Sequence, residues 1–323
     1  MRKSQALAVF RDFAPSEESF RDAALTGLGR RQKTLPCRFL YDASGAALFE
    51  AICELPEYYL TRTETAILED RAEEIAAMVG PGCSLIEFGA GAIRKVRTLL
   101  RAFDAPAAYV AIDISREQLR HAAEDLAAEF PGLAIVAVCA DYMRPLDLGP
   151  LPATGGRRLG FFPGSTIGNF TPGEAVDFLI GSRRVVGADG ALLVGVDLQK
   201  DPAVLEAAYN DSQGVTAAFN LNLLERMNRD LGADFDLRRF AHDAFYNALA
   251  GRIEIYIRSL ADQIVTVAGH GIRFAAGERI HTEDSHKYTV IGFHRLAARA
   301  GYRPLGTWTD RNRLFSIHLL TPT

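Results

Sequence analysis

The segment Ser84–Leu100, SLIEFGAGAIRKVRTLL, decides how this chain folds. It opens with a short apolar run, Ser84–Phe88, of the kind that forms a buried parallel strand. The glycine turn Gly89-Ala90-Gly91 breaks the run, and a helical pattern of apolar residues follows it. Strand, glycine turn and helix together form a nucleotide-binding unit, because glycine lets the backbone turn sharply and leaves main-chain N–H groups open to a ligand.

The spacing of the glycines separates two classes of nucleotide-binding turn. Dinucleotide-binding proteins have a third glycine where helix and strand pack around a pyrophosphate, and Arg94 occupies that position here. With Glu87 ahead of Gly89 and Gly91, the turn resembles instead the E/D-x-G-x-G turn of methyltransferases that use S-adenosylmethionine (SAM), a ligand without a phosphate. Glu87 and Lys95 are candidates for its aminoacyl end, which carries charge of both signs.

Two further strands end in acidic residues. AAYVAIDIS places Asp113 where a carboxylate is expected to accept hydrogen bonds from ribose hydroxyls. LAIVAVCADY ends in Asp141 and Tyr142, a carboxylate for the adenine amino group and a ring to lie beside the base. Open α/β sheets bind ligands at the carboxyl ends of their strands, so the series favours a SAM site. The less favoured alternative is that Asp113 and Asp141 merely begin loops and cap helices, as acidic residues commonly do.

Composition excludes several classes of function. The chain has 323 residues, 48% of them hydrophobic, and a net charge of −4 without a long basic run, so no nucleic-acid partner is expected. The four cysteines show neither C-x-x-C pairing nor metal-ligand spacing, and no apolar run reaches membrane-spanning length. We expect a cytoplasmic monomer that binds neither a metal nor a membrane.

The order of predicted elements indicates two domains that interleave in sequence. Strands and helices alternate over 63–199, and the alternation returns over 287–323, where a hairpin completes a seven-stranded sheet. Between these stretches, 202–250 reads as mostly helical and is followed by antiparallel strands. Thr61 and Glu64 fit a capping box at the start of a helix. We predict an α/β fold in which 63–199 and 287–323 form a class I (Rossmann-like) SAM-binding methyltransferase domain, and 1–62 and 200–286 form a second, α+β substrate-binding domain.

Five segments distributed over almost the whole chain resemble one family. They are LPCRFLYDASGAALFEAICELPEYYLTRTE, FPGSTIGNFTP, AYNDSQGVTAAFN, LGADFDL and FAAGERIHTEDSHKY, and they are similar to the L-histidine Nα-methyltransferases of ergothioneine biosynthesis. The resemblance implies a SAM-dependent enzyme that adds three methyl groups to the α-amine of histidine and so forms hercynine.

The resemblance also implies a role for individual residues. Asn169 and Tyr209 would hold the substrate carboxylate, and Gly164 and Tyr41 would lie near the reacting amine. The imidazole would be recognised by Tyr58, Glu283 and Ser285, with Ile255 standing where the family has a methionine. The SAM site would comprise Glu87, Gly89, Gly91, Lys95, Asp113, Asp141 and Tyr142. The segment Ala92-Ile93-Arg94 departs from the Ser/Thr-rich turn of relatives.

The residue types suit this chemistry. In an extended segment, Glu283 and Ser285 share a face, so the carboxylate can accept one ring N–H while the hydroxyl serves the other nitrogen. Three alternatives remain open: an Nα-methyltransferase of another amino acid, an inactive SAM-binding regulatory protein, and a nicotinamide oxidoreductase, which Arg94 disfavours.

Overall fold

The structure is a computed structural model that describes residues 8–13, 19–91, 93–151 and 156–323. The strands are β1 (Ala8–Asp12), β2 (Lys33–Thr34), β3 (Ser84–Phe88), β4 (Ala108–Asp113), β5 (Ala134–Cys139), β6 (Arg158–Phe162), β7 (Ala191–Asp197), β8 (Phe240–Asn247), β9 (Arg252–Ser259), β10 (Gln263–Val267), β11 (His270–Phe274), β12 (Arg279–His286), β13 (Tyr302–Thr309) and β14 (Phe315–Pro322). The α-helices are α1 (Phe20–Leu28), α2 (Ala43–Cys53), α3 (Tyr59–Val79), α4 (Ile93–Ala102), α5 (Arg116–Glu129), α6 (Pro172–Val186), α7 (Pro202–Tyr209), α8 (Val215–Leu231) and α9 (Val290–Arg299).

The chain divides into two compact units. The sheet unit contains β1 together with Arg62–Leu198 and Tyr288–Thr323, and the second unit contains Glu17–Thr61 and Gln199–Lys287. The internal junctions differ by one residue from the predicted domain boundaries. The N terminus differs more, because the sequence assigned all of 1–62 to the substrate domain, whereas β1 pairs in parallel with β5 and so belongs to the sheet unit.

The sheet unit is built on eight described strands in the order β1-β5-β4-β3-β6-β7-β14-β13. The first six run parallel, and the β13–β14 hairpin is antiparallel to β7. Strand order reverses at β3, from which β4 and β5 lie to one side and β6 and β7 to the other. Ligands of open α/β sheets bind at this kind of switch point. The predicted fold class and terminal hairpin are confirmed, with β1 as a strand beyond the expected seven.

The core of the sheet unit follows from the apolar runs in the sequence. All five residues of β3 are buried, and Ile86, Val110 and Val136 on three neighbouring strands belong to one hydrophobic cluster. Helix α4 buries Val96 and Leu99, which confirms the helical pattern after the glycine turn. Runs of apolar residues without alternation are what a parallel sheet covered on both faces requires.

The predicted capping box was wrong. Helix α3 begins at Tyr59, so Thr61 and Glu64 both lie inside it. The side chain of Glu64 is fully buried and accepts hydrogen bonds from Lys95 and from the backbone N–H of Gly164. A T-x-x-E spacing satisfies the capping pattern, but here the carboxylate serves tertiary partners instead of the helix start.

The second unit is α+β, as predicted. Its four-stranded sheet has the order β2-β12-β9-β8, and β10 and β11 form a separate hairpin. The expectation that 202–250 is mostly helical holds for α7 and α8 and fails for β8, which pairs antiparallel to β9 along its whole length. Seven of its eight residues are only partly buried, so β8 lacks the apolar run that marks the strands of the parallel sheet.

A buried histidine in the sheet unit makes stability depend on pH. The Ser316 hydroxyl donates to the Val196 carbonyl at 3.1 Å and therefore accepts from Nε2 of His318 at 2.8 Å. Nδ1 of His318 lies 3.1 Å from Nε2 of His294. Desolvation, assisted by the charge of His294, lowers the pKa of His318 to about 3.

We predict that acid destabilises the fold through His318. The unfolded chain binds a proton near pH 6.5 and the folded chain only near pH 3, so stability is unaffected above about pH 6.5 and is lost as the pH falls from there towards 3. At pH 5 the loss is about 2 kcal/mol. Denaturant unfolding of His318→Gln should lack this component. His121→Gln, a change at an exposed histidine, should retain it; equal pH profiles for His318→Gln and the parent would contradict the assignment.

Candidate functional site

The glycine turn lies at the carboxyl end of β3. Gly89 has φ of +79°, which favours glycine, and its N–H donates to the Ile112 carbonyl at 2.8 Å. Gly91 has ordinary φ, and an added Cβ there would meet no described atom within 4 Å. Packing therefore does not require glycine at Gly91, whereas a ligand that approaches the turn amides would. Of the divergent segment after it, Ala92 lies outside the described residues, and Arg94 is exposed.

Glu87 is held inside the sheet. It is fully buried, and one carboxylate oxygen accepts a hydrogen bond from the Tyr109 hydroxyl at 2.5 Å. Burial first, and then the charge of Glu87, raise the pKa of Tyr109 well above its usual range, so this phenol stays protonated as a donor. Tyr109 thus fixes the orientation of Glu87 beside the glycine turn, a role that its position inside an apolar strand did not reveal.

The two other predicted acidic positions lie at the same edge of the sheet. Asp113 ends β4, and its carboxylate accepts from the Ser115 N–H at 2.8 Å; burial raises its pKa. Asp141 follows β5 and accepts from the Met143 N–H at 2.9 Å. Both carboxylates thus make local contacts of the kind that begin a loop, and Oδ2 of Asp141 also lies 3.4 Å from Nε of Arg144. Their roles in a SAM site stay predictions. Tyr142 packs edge-on against Phe162, with ring centroids 5.8 Å apart.

Glu64 ties the glycine-turn helix to the loop after β6. Its two carboxylate oxygens accept from the Gly164 N–H at 3.1 and 2.9 Å, and one of them also accepts from the Lys95 ammonium. Gly164 and Ser165 both adopt left-handed φ, +77° and +57°. A Cβ at Gly195 would lie 1.9 Å from Glu64, so glycine is required there. Sequence reasoning missed Glu64, and it assigned Lys95 to SAM without this partner.

Asn169 ends a short 3₁₀ helix, Thr166–Asn169, in the same loop. It is half-buried and precedes α6, whose first turn is capped by Thr171 and Glu174 in a complete capping box. Because Thr171 and Glu174 satisfy the helix start, Asn169 is not needed as a cap. Its proposed role as a donor to a carboxylate stays a prediction.

In the second unit, aromatic side chains predicted at the substrate site come together. The ring of Tyr41 lies 5.5 Å from that of Phe49 and 5.4 Å from that of Phe219, in edge-on contacts. The rings of Tyr58 and Tyr209 are 6.2 Å apart, and both residues are 8% exposed. Buried tyrosines of this kind can belong to a core or line a pocket, and their grouping with the polar side chains of β12, described next, favours a pocket wall.

Strand β12 brings polar groups to these tyrosines. The Ser285 hydroxyl lies 2.9 Å from that of Tyr209, and Glu283 is the ladder partner of Ile255 on β9. Burial raises the pKa of Glu283 to about 7, and the positive charge of Lys287 opposes that rise. The structure therefore collects every predicted imidazole-site residue within one unit, together with a carboxylate whose pKa is raised by burial.

Lys287 is a buried cation that sequence reasoning missed. It is 2% exposed, and its ammonium donates to the hydroxyls of Tyr209 and Ser285, each at 2.8 Å. The spacing Glu283-x-Ser285-x-Lys287 was the available signal, because a period of two carries all three side chains to one face. Lysine is mostly found on protein surfaces, so its residue type alone gives no reason to expect a buried cation here.

The described ranges contain no cluster of three or more His, Cys, Asp or Glu side chains able to hold a metal ion. Within the same ranges, no helix combines the length and the apolar character needed to cross a bilayer.

Comparison with known proteins identifies the family. The sequence model of a family described as "Histidine-specific methyltransferase, SAM-dependent" matches residues 20–322. The chain is 42% identical to a histidine N-alpha-methyltransferase of Mycolicibacterium smegmatis, over 94% of each chain, and 40% identical to that of Mycobacterium tuberculosis, over 91% of this chain and 92% of the relative. It is also 35% identical to ergothioneine biosynthesis protein 1 of Neurospora crassa, over 90% of this chain and 33% of that longer protein. The chain belongs to the histidine-specific, SAM-dependent methyltransferase family.

Proposed function

We propose that this protein transfers methyl groups from SAM to the α-amine of L-histidine, three in succession, and so forms hercynine. The observation that carries the proposal is the pairing of Glu283 and Ser285 on one face of β12, beside Tyr58 and Tyr209. A carboxylate and a hydroxyl on one strand face can serve the two nitrogens of an imidazole ring, the first accepting an N–H and the second donating to the other nitrogen. Family membership supports the same substrate and the same donor.

The carboxyl edge of the parallel sheet fits SAM. Gly91 leaves the turn amides uncovered without any packing need for glycine, and Asp113 offers a partly buried carboxylate at the end of the neighbouring strand. We assign SAM to this edge, with Glu87, Gly89, Gly91, Lys95, Asp113, Asp141 and Tyr142 as its contacts. We assign the substrate to the second unit, so that the two units act as a SAM-binding and a substrate-binding domain.

Catalysis requires positioning more than acid or base strength. SAM supplies an electrophilic methyl group on a sulfonium, and in-line displacement needs only an amine lone pair held against it. Asn169 and Tyr209 are proposed to fix the substrate carboxylate, and Glu283 and Ser285 the ring. The N–H of Gly164 is donated to Glu64, so the carbonyl of Gly164 is the group that this residue can offer to the amine. Each transfer before the last must release a proton, for which the Tyr41 hydroxyl is the proposed relay to water.

A single assay tests the function. We expect incubation with SAM and histidine to add one, two and then three methyl masses, and parallel incubations with the other common amino acids to add none. Added methyl masses on a different amino acid would mean that this amino acid, and not histidine, is the substrate. Added mass on no amino acid would favour a regulatory SAM-binding protein. The monomeric state, the cytoplasmic location and the absence of nucleic-acid partners stay predictions from composition.

A further inference from the structure

Lys287 controls the hydroxyl hydrogens of its two neighbours. An ammonium has only donors, so the oxygens of Tyr209 and Ser285 must both accept from Lys287, and both hydroxyl protons must point elsewhere. The ammonium also lies 4.7 Å from the centre of the Tyr209 ring, which adds a cation–π contact that holds it in place. Lys287 therefore occupies one lone pair of each hydroxyl oxygen and turns both hydroxyl protons towards other acceptors, which favours the two hydroxyls as donors.

The hydroxyl pair can exchange its internal bond for two bonds to a ligand. The two oxygens are 2.9 Å apart, so one hydroxyl proton joins them. If that bond opens, both protons can be donated to acceptors on a ligand while Lys287 still donates to each oxygen. Both oxygens keep a hydrogen-bond partner during this exchange. The exchange therefore avoids the free-energy cost of leaving a buried polar atom without a hydrogen bond.

The charges of the cluster discriminate between protonation states of a ring. Lys287 is buried immediately after β12, two residues from Ser285, and of the neighbouring charges it has the largest effect on the pKa of Glu283. A ring bound between Glu283 and Ser285 therefore meets one negative and one positive group. An imidazolium would bring a second cation and a second N–H donor to the Ser285 side, and the buried ammonium disfavours both.

We propose that Lys287 is a positioning residue that makes Ser285 and Tyr209 hydrogen-bond donors to the substrate, so that the site binds histidine with a neutral imidazole ring. The inference rests on the proposed function, since it concerns the state in which that substrate is bound. It assigns Lys287 no contact with the reacting atoms.

Other titratable groups share these surroundings, and an experiment must separate them from the ring. They are His281 and Asp284 on β12, Arg252 and Glu254 on β9, Tyr209 on α7, and Cys37, Tyr41, Cys53 and Tyr58 in the N-terminal part of the unit. A comparison of two ligands that differ only in the ring cancels the titration of every group whose pKa is the same in the two complexes.

The test compares histidine with 1,2,4-triazol-3-yl-alanine, whose ring accepts the same hydrogen bonds and stays neutral in mild acid. Dissociation constants are measured by calorimetry in the presence of S-adenosylhomocysteine, which prevents turnover. We expect the ratio of the histidine constant to the triazole constant to rise about tenfold for each pH unit below about 6.5, where free imidazole protonates. A ratio independent of pH, or failure of the triazole to bind, would overturn the inference.

Two variants assign the effect to Lys287. In Lys287→Met the pH dependence of the ratio should flatten, because imidazolium can then pair with Glu283, whereas Lys287→Arg should keep it. An unchanged slope in a folded Lys287→Met would remove Lys287 from the explanation. If Lys287→Met does not fold, the slopes of the parent and of Lys287→Arg still decide, and loss of the slope in Lys287→Arg counts against the inference. If the protein methylates histidine but the ratio of dissociation constants does not change with pH, this inference alone is wrong. If the protein does not methylate histidine, the proposed function is wrong.

Discussion

Replacement of Glu283 by alanine is expected to lower kcat/KM for histidine by about 30- to 5,000-fold. The range corresponds to about 2–5 kcal/mol, the usual cost of truncating one member of a buried, charged hydrogen-bonded pair. Glu283 is proposed to accept a ring N–H, and its loss would leave that donor buried without a partner. Affinity for SAM should be unchanged, because Glu283 belongs to the second unit and SAM is assigned to the sheet edge.

The neighbouring carboxylate gives a matched control. Asp284 is bonded to Arg252 at 3.1 Å and to His281 at 2.9 Å, away from the tyrosines, so Asp284→Asn should change kcat/KM several-fold at most. Steady-state kinetics with histidine, beside calorimetric titration with SAM, measure both effects. Parallel losses of histidine use and SAM affinity in Glu283→Ala would mean that Glu283 stabilises the fold and does not recognise the ring.

Replacement of Glu64 by alanine is expected to reduce the free energy of unfolding by about 3–5 kcal/mol, because it leaves the buried ammonium of Lys95 without its carboxylate. The Gly164 N–H loses its acceptor at the same time. Denaturant unfolding measures the change. A further Lys95→Met substitution should recover part of the loss, because the unpaired charge is then removed as well.

An exposed glutamate on the same helix serves as the control for this change. Glu69 approaches Arg94 at 3.9 Å across an open surface, and Glu69→Ala should cost no more than about 1 kcal/mol. If Glu64→Ala were as mild as Glu69→Ala, the buried pair would contribute little to stability, and the contact of Glu64 with Gly164 in the loop after β6 would need another explanation.

The sheet could be predicted from sequence because its signals are local. Apolar runs mark β3, β4 and β5 without ambiguity, and each is followed by a turn or an acidic residue that sets its end. Strand β8 could not be predicted in the same way, since its partly exposed side chains carry neither a continuous apolar run nor clean alternation. Its pairing with β9 is a tertiary contact, and such contacts override weak local patterns.

The candidate site also contains residues that the sequence predicted and residues that it did not. Resemblance named Glu283, Ser285 and Tyr209, and the structure brings their side chains together within one unit. Glu64 was missed because its partners Lys95 and Gly164 lie far away in sequence. Lys287 was missed because its contact with Tyr209 is equally distant in sequence, and its short spacing from Ser285 was not used. A glutamate in a capping pattern and a lysine at the end of a strand have ordinary local explanations, and only their burial reveals another role.

The pairing of β1 with β5 bears on how the molecule behaves in concentrated solution. All five residues of β1 pair with the backbone of β5, from Ile135 to Cys139. Arg11 of β1 also donates a hydrogen bond to the carbonyl of Leu148. A version that starts after β1 would present the N–H and C=O row of a long apolar strand to other molecules, which is a template for self-association. Such a truncation should precipitate or form aggregates even though it leaves every proposed substrate and SAM contact in place, so expression tags are safer joined ahead of β1 than substituted for it.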